Sequence, residues 1–353
     1  MKESNKKISF VILKYVASLS FAGFIIYLLF RNQDPVALIE KILEVEFAWV
    51  ILSMIFGGWA YVNRGLRWIV LIDALGYNSS KMNSISSVSV GYFTNMFIPR
   101  AGEISRCTAL NRVEKIPVDK LFGTILVERV IDFVFLIILF LLTLILKFEL
   151  IIQFFTELGS QSSNSSFTSS NLSSDDDTIR WVYYIIPLFI LGMVWALLKY
   201  YWLEYKEIIK EKLIVFIRGI KEGFKSIKNM KQKSTFWFHT CSIWIMYFLM
   251  TYICFQAIPE TSHLTISDGL FLLVLGGIGM VIPTPGGVGS YHAIVMIGLS
   301  VLGVGTIFLG ENGDPLNPAL LFPTIVHIAQ TLVAIIMGSI GLLLLSLTKR
   351  KQS

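Results

Sequence analysis

Charged side chains stand inside two of the most apolar stretches of this chain. Residues 46–72 carry Asn63, Arg64 and Arg67, and residues 121–147 carry Glu128, Arg129 and Asp132. With Asp73 and Lys120 taken as the outer ends, helix rise puts the two arginines roughly 9–14 Å deep and the two carboxylates roughly 12–18 Å deep. The depths match and the signs are complementary. Glu128 and Asp132 are four residues apart, so on a helix they share one face. A lone charge at the centre of a bilayer costs at least about 2.5 kcal/mol, so these groups must pair or face a polar cavity. Two chemistries fit: an ion-pair network that ties two spans together, or an anion site made by arginine left over from that pairing. Arg64, Arg67, Arg100, Arg106 and Arg129 outnumber Glu103, Glu128 and Asp132. The surplus favours an acidic ligand, and the planar guanidinium fork suits phosphate.

A second signal is a proline-glycine motif that occurs twice in hydrophobic territory. The first copy runs from Asn95 to Arg106 and contains Ile98, Pro99 and Gly102; the second runs from Met280 to His292 and contains Ile282, Pro283 and Gly286. Pro removes an amide donor and Gly frees the backbone, so each copy breaks a helix. Broken helices persist in a membrane where protein or a wet cavity satisfies the freed groups, and a pair in corresponding halves points to a substrate site. Helices restarting near Ala101 and Ser290 would offer free amides and a positive dipole end to an anion. Gly286, Gly287 and Gly289, beside Pro283 and Pro285, permit close backbone approach to a ligand or equally close helix packing.

The elements that must position these groups are membrane spans. The chain has 353 residues, 54% of them hydrophobic and only 15% charged, with the charges concentrated between long apolar runs. Spans are predicted at 9–30, 46–72, 121–147, 181–200, 236–256 and 320–347, each near the roughly 20 residues that cross a bilayer. The first run reads as a signal anchor rather than a cleaved leader, since Ala22-Gly23 is followed by more apolar sequence. Residues 84–98 and 268–308 are interrupted and read as re-entrant or discontinuous pairs. The fold class is therefore all-α: a polytopic transmembrane helical bundle in a single integral domain, 1–353, with two discontinuous or re-entrant helix pairs. Three matched positions in the two motifs are the sequence sign of an inverted repeat.

Lysine and arginine placement orients the bundle. The basic amino terminus, Arg100 to Lys120, the ten Lys/Arg of 199–233 and Lys349-Arg350-Lys351 all fit the cytoplasmic face. Residues 148–180 are Ser/Asn/Asp-rich and read as an external loop. The two broken pairs then enter from opposite faces. Within 199–233, apolar residues from Ile209 to Ile227 recur at helical spacing between lysines, as in an interfacial amphipathic helix or a solvated connector. The net charge of +6 is read as topology, so no nucleic-acid partner is expected. Cys107, Cys241 and Cys254 show no pairing or metal spacing. No catalytic triad order, metal motif, phosphate loop or nucleotide fingerprint occurs, so neither a catalytic residue, a metal nor a cofactor is expected. His292 and His327, with Gln330 close by, could relay a proton, although such residues are more often hydrogen-bonded core groups.

At these motifs the chain resembles the flippase-like membrane domain of bacterial lysylphosphatidylglycerol synthetases and of many stand-alone membrane proteins. The resemblance runs over roughly residues 10–347. It rests on Arg64 and Arg67, on Asn95 through Arg106 with Arg100 and Glu103, on Glu128-Arg129-x-x-Asp132, and on Pro283 through Gly289. It implies a multi-pass protein of the bacterial inner (plasma) membrane whose homologous region moves aminoacylated phosphatidylglycerol between leaflets. The domain that attaches the amino acid is not expected here, since the chain ends six residues after the last predicted span. Where such domains often carry a glutamate after the second motif, this chain reads Ser290-Tyr291-His292. The resemblance therefore does not carry a cationic aminoacyl headgroup over to it.

The leading expectation is a flippase or transporter for a phospholipid or lipid-linked anion, with anionic headgroups of membrane phospholipids as partners. Arg64, Arg67, Arg100 and Arg106 would hold the anion, and Glu103, Glu128 and Asp132 would orient them or exchange protons. The alternatives are a transporter of another anionic or polyprenyl-linked substrate, and a membrane scaffold that docks an envelope-modifying enzyme through 199–233.

Overall fold

The computed structural model describes residues 2–31, 33–152, 230–306 and 317–352. The contacts below lie within one compact unit, formed by Met1–Ile151 with Ser226–Ser353. The predicted span 181–200, most of the loop 148–180 and the amphipathic stretch 206–228 lie outside the described residues.

The other predicted spans are helices. They are α1 (Lys2–Phe30), α3 (Phe47–Ala74), α6 (Val118–Leu146), α7 (Lys233–Ile253) and α10 (Pro318–Gln352), with a short α2 (Pro35–Leu43) after the first. No strand occurs among the described residues. By length and composition α6, α7 and α10 are apolar enough to cross a membrane, and the chain is membrane-embedded. Helix α6 shows why: its outer face presents Phe133, Ile137, Ile138 and Leu141 unburied, a surface that only lipid would solvate well.

The interrupted regions form two hairpins. The first is α4 (Lys81–Phe97) and α5 (Gly102–Glu114); the second is α8 (Ile266–Val281) and α9 (Ser290–Val301). At 1.5 Å per residue α4 and α8 reach only about 25 Å, short of a hydrocarbon core of about 30 Å. The open ends of the hairpins lie at opposite ends of α10. Asn83 and Ser80, at the start of α4, bond the Glu114 carboxylate at the end of α5, and Thr348 near the end of α10 donates to Asn83. At the other end, the turn after α9 meets the residue before α10, where Asn317 Nδ2 donates to the Thr306 carbonyl at 2.7 Å. The Asn317 amide also donates to Gln33, past the end of α1, and Lys147 pairs with Asp268 at 2.5 Å, joining the end of α6 to the start of α8.

The two tips meet. Arg100 Nη2 donates to the Val281 carbonyl at 3.3 Å, and a methyl at Gly286 would stand 3.5 Å from the Met96 Cα. The expectation of entry from opposite faces thus gains a second half: the breaks sit against each other inside the bundle. The backbone at the breaks is left-handed at Arg100 (φ 62°), Gly286 (φ 59°), Gly287 (φ 81°) and Gly289 (φ 82°), which glycine adopts without penalty.

The first break closes on glycine for a different reason. A Cβ on Gly102 would fall on the Gly91 carbonyl oxygen and 2.5 Å from Asn95 Nδ2, so α4 and α5 cross at backbone contact. Gly102→Ala is expected to destabilise the fold by about 1–3 kcal/mol through overpacking. A lowered thermal midpoint of the purified protein, beside an unchanged Gly123→Ala control where no atom lies within 4 Å of the new methyl, checks it.

Candidate functional site

Four elements, α3, α5, α6 and α7, bring the charged motifs together. On α3, Arg64 and Arg67 lie one turn apart and face α6. Arg67 makes a bidentate fork to Asp132, Nη1 to Oδ1 at 2.7 Å and Nη2 to Oδ2 at 3.1 Å, and its Nε stands 3.5 Å from Glu128 Oε1. Arg106 on α5 bonds the other Glu128 oxygen, and its guanidinium lies 4.2 Å from the Trp68 ring. Arg64 Nη2 bonds Asp132 Oδ2 at 3.2 Å, and Arg64 Nε donates to the Tyr247 hydroxyl on α7 at 2.6 Å. Arg129 reaches Asp132 at 3.8 Å from a rim position, with 42% of its side chain exposed. The pairing of α3 with α6, expected from matched depths, is what the structure contains.

The network divides the candidate arginines. Arg67 is fully buried and Arg106 nearly so, and both are ion-paired with Glu128 or Asp132, although the Nε of each makes no hydrogen bond. Arg64 and Arg129 instead line a cavity of about 500 Å³. Four arginines share two carboxylates here, so the surplus positive charge falls on the two that reach the cavity. Arg64 Nη1 is buried without a hydrogen-bond partner, and so is Trp244 Nε1 on α7. Both residues belong to the cavity wall. Unmade hydrogen bonds of this kind are costly, and two donors on one wall suit a single acceptor-rich ligand.

The rest of the wall is mainly apolar: Met250, Phe133, Leu136, Met280 and Val281 with the tyrosines Tyr61, Tyr92 and Tyr247. Phe133, Met280 and Val281 are each about half exposed or more (50%, 49% and 59%), so the cavity opens sideways between α6 and the tip of α8. Asn95, Tyr92 and Arg129 also line a second, water-sized pocket of about 30 Å³, shared with Gly102, Glu103 and Arg106. There Glu103 Oε2 is buried and unpartnered.

Other predicted site residues hold the breaks in shape. The Gly102 amide at the start of α5, expected to be free for an anion, donates to Asn95 Oδ1 at 2.6 Å. Asn95 therefore satisfies the broken helix from the preceding one while still lining the cavity. Gly286 lines it too, but Pro283, Pro285, Gly287 and Gly289 do not. The Pro283 carbonyl accepts from Ser18 on α1 at 2.5 Å, and Gly289 packs at the Ala22 carbonyl. Trp244, Tyr247 and Thr251, none singled out from sequence, line the cavity from α7. Their spacing of three and four residues in a span, each with a polar atom, was the available signal. Among the described residues no cluster suits a metal ion.

The geometry defines a class: a polytopic helical membrane protein in which two short helical hairpins meet at their tips beside a laterally open cavity lined by arginines. Residues 11–338 match the family described as the lysylphosphatidylglycerol synthase TM region, and the chain belongs to that family. It is similar to a UPF0104 membrane protein of Methanothermobacter thermautotrophicus, 24% identical over 301 residues, 78% of each chain. A UPF0104 membrane protein of Methanocaldococcus jannaschii is 33% identical over 98 residues, which cover 27% of this chain and 29% of that one. No solved structure matches it.

Proposed function

We propose that this protein moves an anionic phospholipid, or another lipid-linked phosphate, between membrane leaflets. The observation that carries the reading is that Arg64 and Trp244, both residues of the cavity wall, each hold a buried donor without a hydrogen-bond partner, Nη1 and Nε1, beside a cavity that opens sideways through apolar residues. A phosphate would take both donors while the acyl or isoprenoid tails stay outside, between α6 and α8. A water-borne anion would not call for a mouth made of Phe133, Met280 and Val281. In the full synthetases the related region serves a phosphatidylglycerol derivative, which agrees with a phosphodiester cargo. The orientation proposed from charge is supported by one end of the bundle, where Lys81, Arg112, Lys115, Lys120 and Lys233 gather, against Arg31, Lys41 and Lys147 at the other. The basic end faces the cytoplasm. The alternative of an enzyme-docking scaffold rests on 199–233, of which only 230–233 are described.

The test is headgroup-resolved translocation in proteoliposomes, with phosphatidylglycerol compared with phosphatidylcholine. The wild-type protein is expected to move phosphatidylglycerol faster. Trp244→Phe keeps the ring and loses the donor, and should slow that lipid about 3- to 10-fold, the value of one hydrogen bond near 1 kcal/mol. Folded protein that moves neither lipid would sink the reading.

A further inference from the structure

The cavity holds a second polar feature that anion binding alone does not use. His327 on α10 lines it, with the ring of His292 from α9 beside it at a centroid distance of 4.8 Å and tilted by 49°. Both side chains are buried. His327 Nε2 stands 2.9 Å from the Gly286 carbonyl at the second break. A carbonyl only accepts, so Nε2 carries a hydrogen in every protonation state, and Nδ1 is the atom that gains or loses one. That Nδ1 lies 3.5 Å from the hydroxyl of Thr331, which also lines the cavity. His292 Nδ1 is buried with no partner.

The groups around the pair are Tyr291 beside both rings, Phe30 of α1 against His292, and the cavity tyrosines Tyr61, Tyr92 and Tyr247 from α3, α4 and α7. The charges that share the cavity are Arg64, Arg129 and Asp132. Among the described residues neither imidazole has a carboxylate within ion-pairing distance. A proton on this pair therefore has no resident counter-charge, and an anion in the cavity would supply one. We propose that His327, paired with His292, is a proton site coupled to anion occupancy of the cavity, so that the protein carries one proton with each anionic headgroup.

This rests on the anion reading above and adds the energy source. Coupling between two ligands is reciprocal: whatever factor the anion adds to proton affinity, the proton adds to anion affinity. Two imidazolium rings at this separation repel, so the pair takes up one proton rather than two. A phosphodiester monoanion with one proton is electroneutral, which makes a pH gradient rather than the membrane potential the driving force. The proton does not disturb the break, because Nε2 continues to donate to Gly286.

The experiment is binding of dihexanoyl phosphatidylglycerol to the full-length protein in detergent, between about pH 5.5 and 8, the range where histidine titrates. The phosphodiester charge does not change over that range. Affinity is expected to rise as pH falls, by up to about tenfold per pH unit for one linked proton. His327→Gln keeps an N–H for the Gly286 carbonyl but cannot titrate, and should flatten the slope. His292→Gln should retain it. If His327→Gln does not fold, proton uptake by the wild type in weakly buffered solution decides, with about one proton per anion expected and none overturning the proposal. Binding that is independent of pH, or a slope unchanged in folded His327→Gln, overturns the proton site and leaves the anion site standing. No binding at any pH overturns both. Glycerophosphoglycerol, the same headgroup without tails, separates the sources: an equal pH slope with it supports the proton site with a water-borne anion, and binding of the short-chain lipid alone supports it with a membrane one.

Discussion

Asp132→Asn is expected to cost the folded state about 3–5 kcal/mol, the usual result of stripping a buried charge of its partner. It should be the most damaging single change in the ion-pair network. Asp132 answers Arg64, Arg67 and Arg129, and with it gone four arginines would share Glu128 alone. Arg67→Ala should cost less, although Arg67 is the more deeply buried. Its removal leaves Glu128 with Arg106 and Asp132 with Arg64, and it lowers the positive surplus from two to one. Thermal midpoints and yields of monodisperse protein for the two variants give the order. Arg64→Gln on the Asp132→Asn background should recover part of the loss, since the two residues are in contact and their effects do not add. The reverse order, with Arg67→Ala the worse, would mean that packing of the guanidinium between Phe236 and α6 matters more than charge balance.

Much of this arrangement is legible in the sequence because membrane burial makes polar residues conspicuous. A carboxylate such as Glu128 in an apolar run must find a cation at its own depth, and helix rise alone identifies Arg67 as within reach. The breaks are legible for a similar reason, since Pro99 and Pro283 interrupt helices that have no water to rescue them. What sequence withholds is which side of each charge faces protein and which faces cavity. Arg64 and Arg67 are one turn apart and alike in type, yet Arg67 is enclosed by α6 and α7 while Arg64 lines the cavity. That difference is set by the packing of three helices and by Tyr247, whose hydroxyl takes Arg64 Nε. The meeting of the two tips is hidden likewise. It depends on α10 passing both, with Phe93 at Gly338 and the Gly286 carbonyl at His327. Asn95 shows that one polar residue can serve the backbone and line the cavity together. A polar residue beside a break looks like a ligand group, and its first task is to cap the helix that follows.

The division of the arginines leads to the second large effect. Arg64→Gln is expected to leave a folded protein whose binding and translocation of phosphatidylglycerol fall about 10- to 150-fold, the value of a hydrogen bond to a charged group at about 1.5–3 kcal/mol. The fold survives because Asp132 keeps the fork from Arg67, and because glutamine retains a donor for that neighbourhood. Function does not, because the cavity loses a guanidinium and its charge, and the positive surplus falls from two to one, carried by Arg129 at the rim. Arg64→Lys should recover attraction to the anion but not the donor held by Tyr247, and so should lie between the two. The pair of measurements separates the roles of one ion network: Asp132→Asn lowers stability first, whereas Arg64→Gln lowers transport at nearly unchanged thermal midpoint. If Arg64→Gln unfolds the protein as readily as Asp132→Asn, the cavity arginine is structural, and the anion would have to be held from the exposed rim by Arg129.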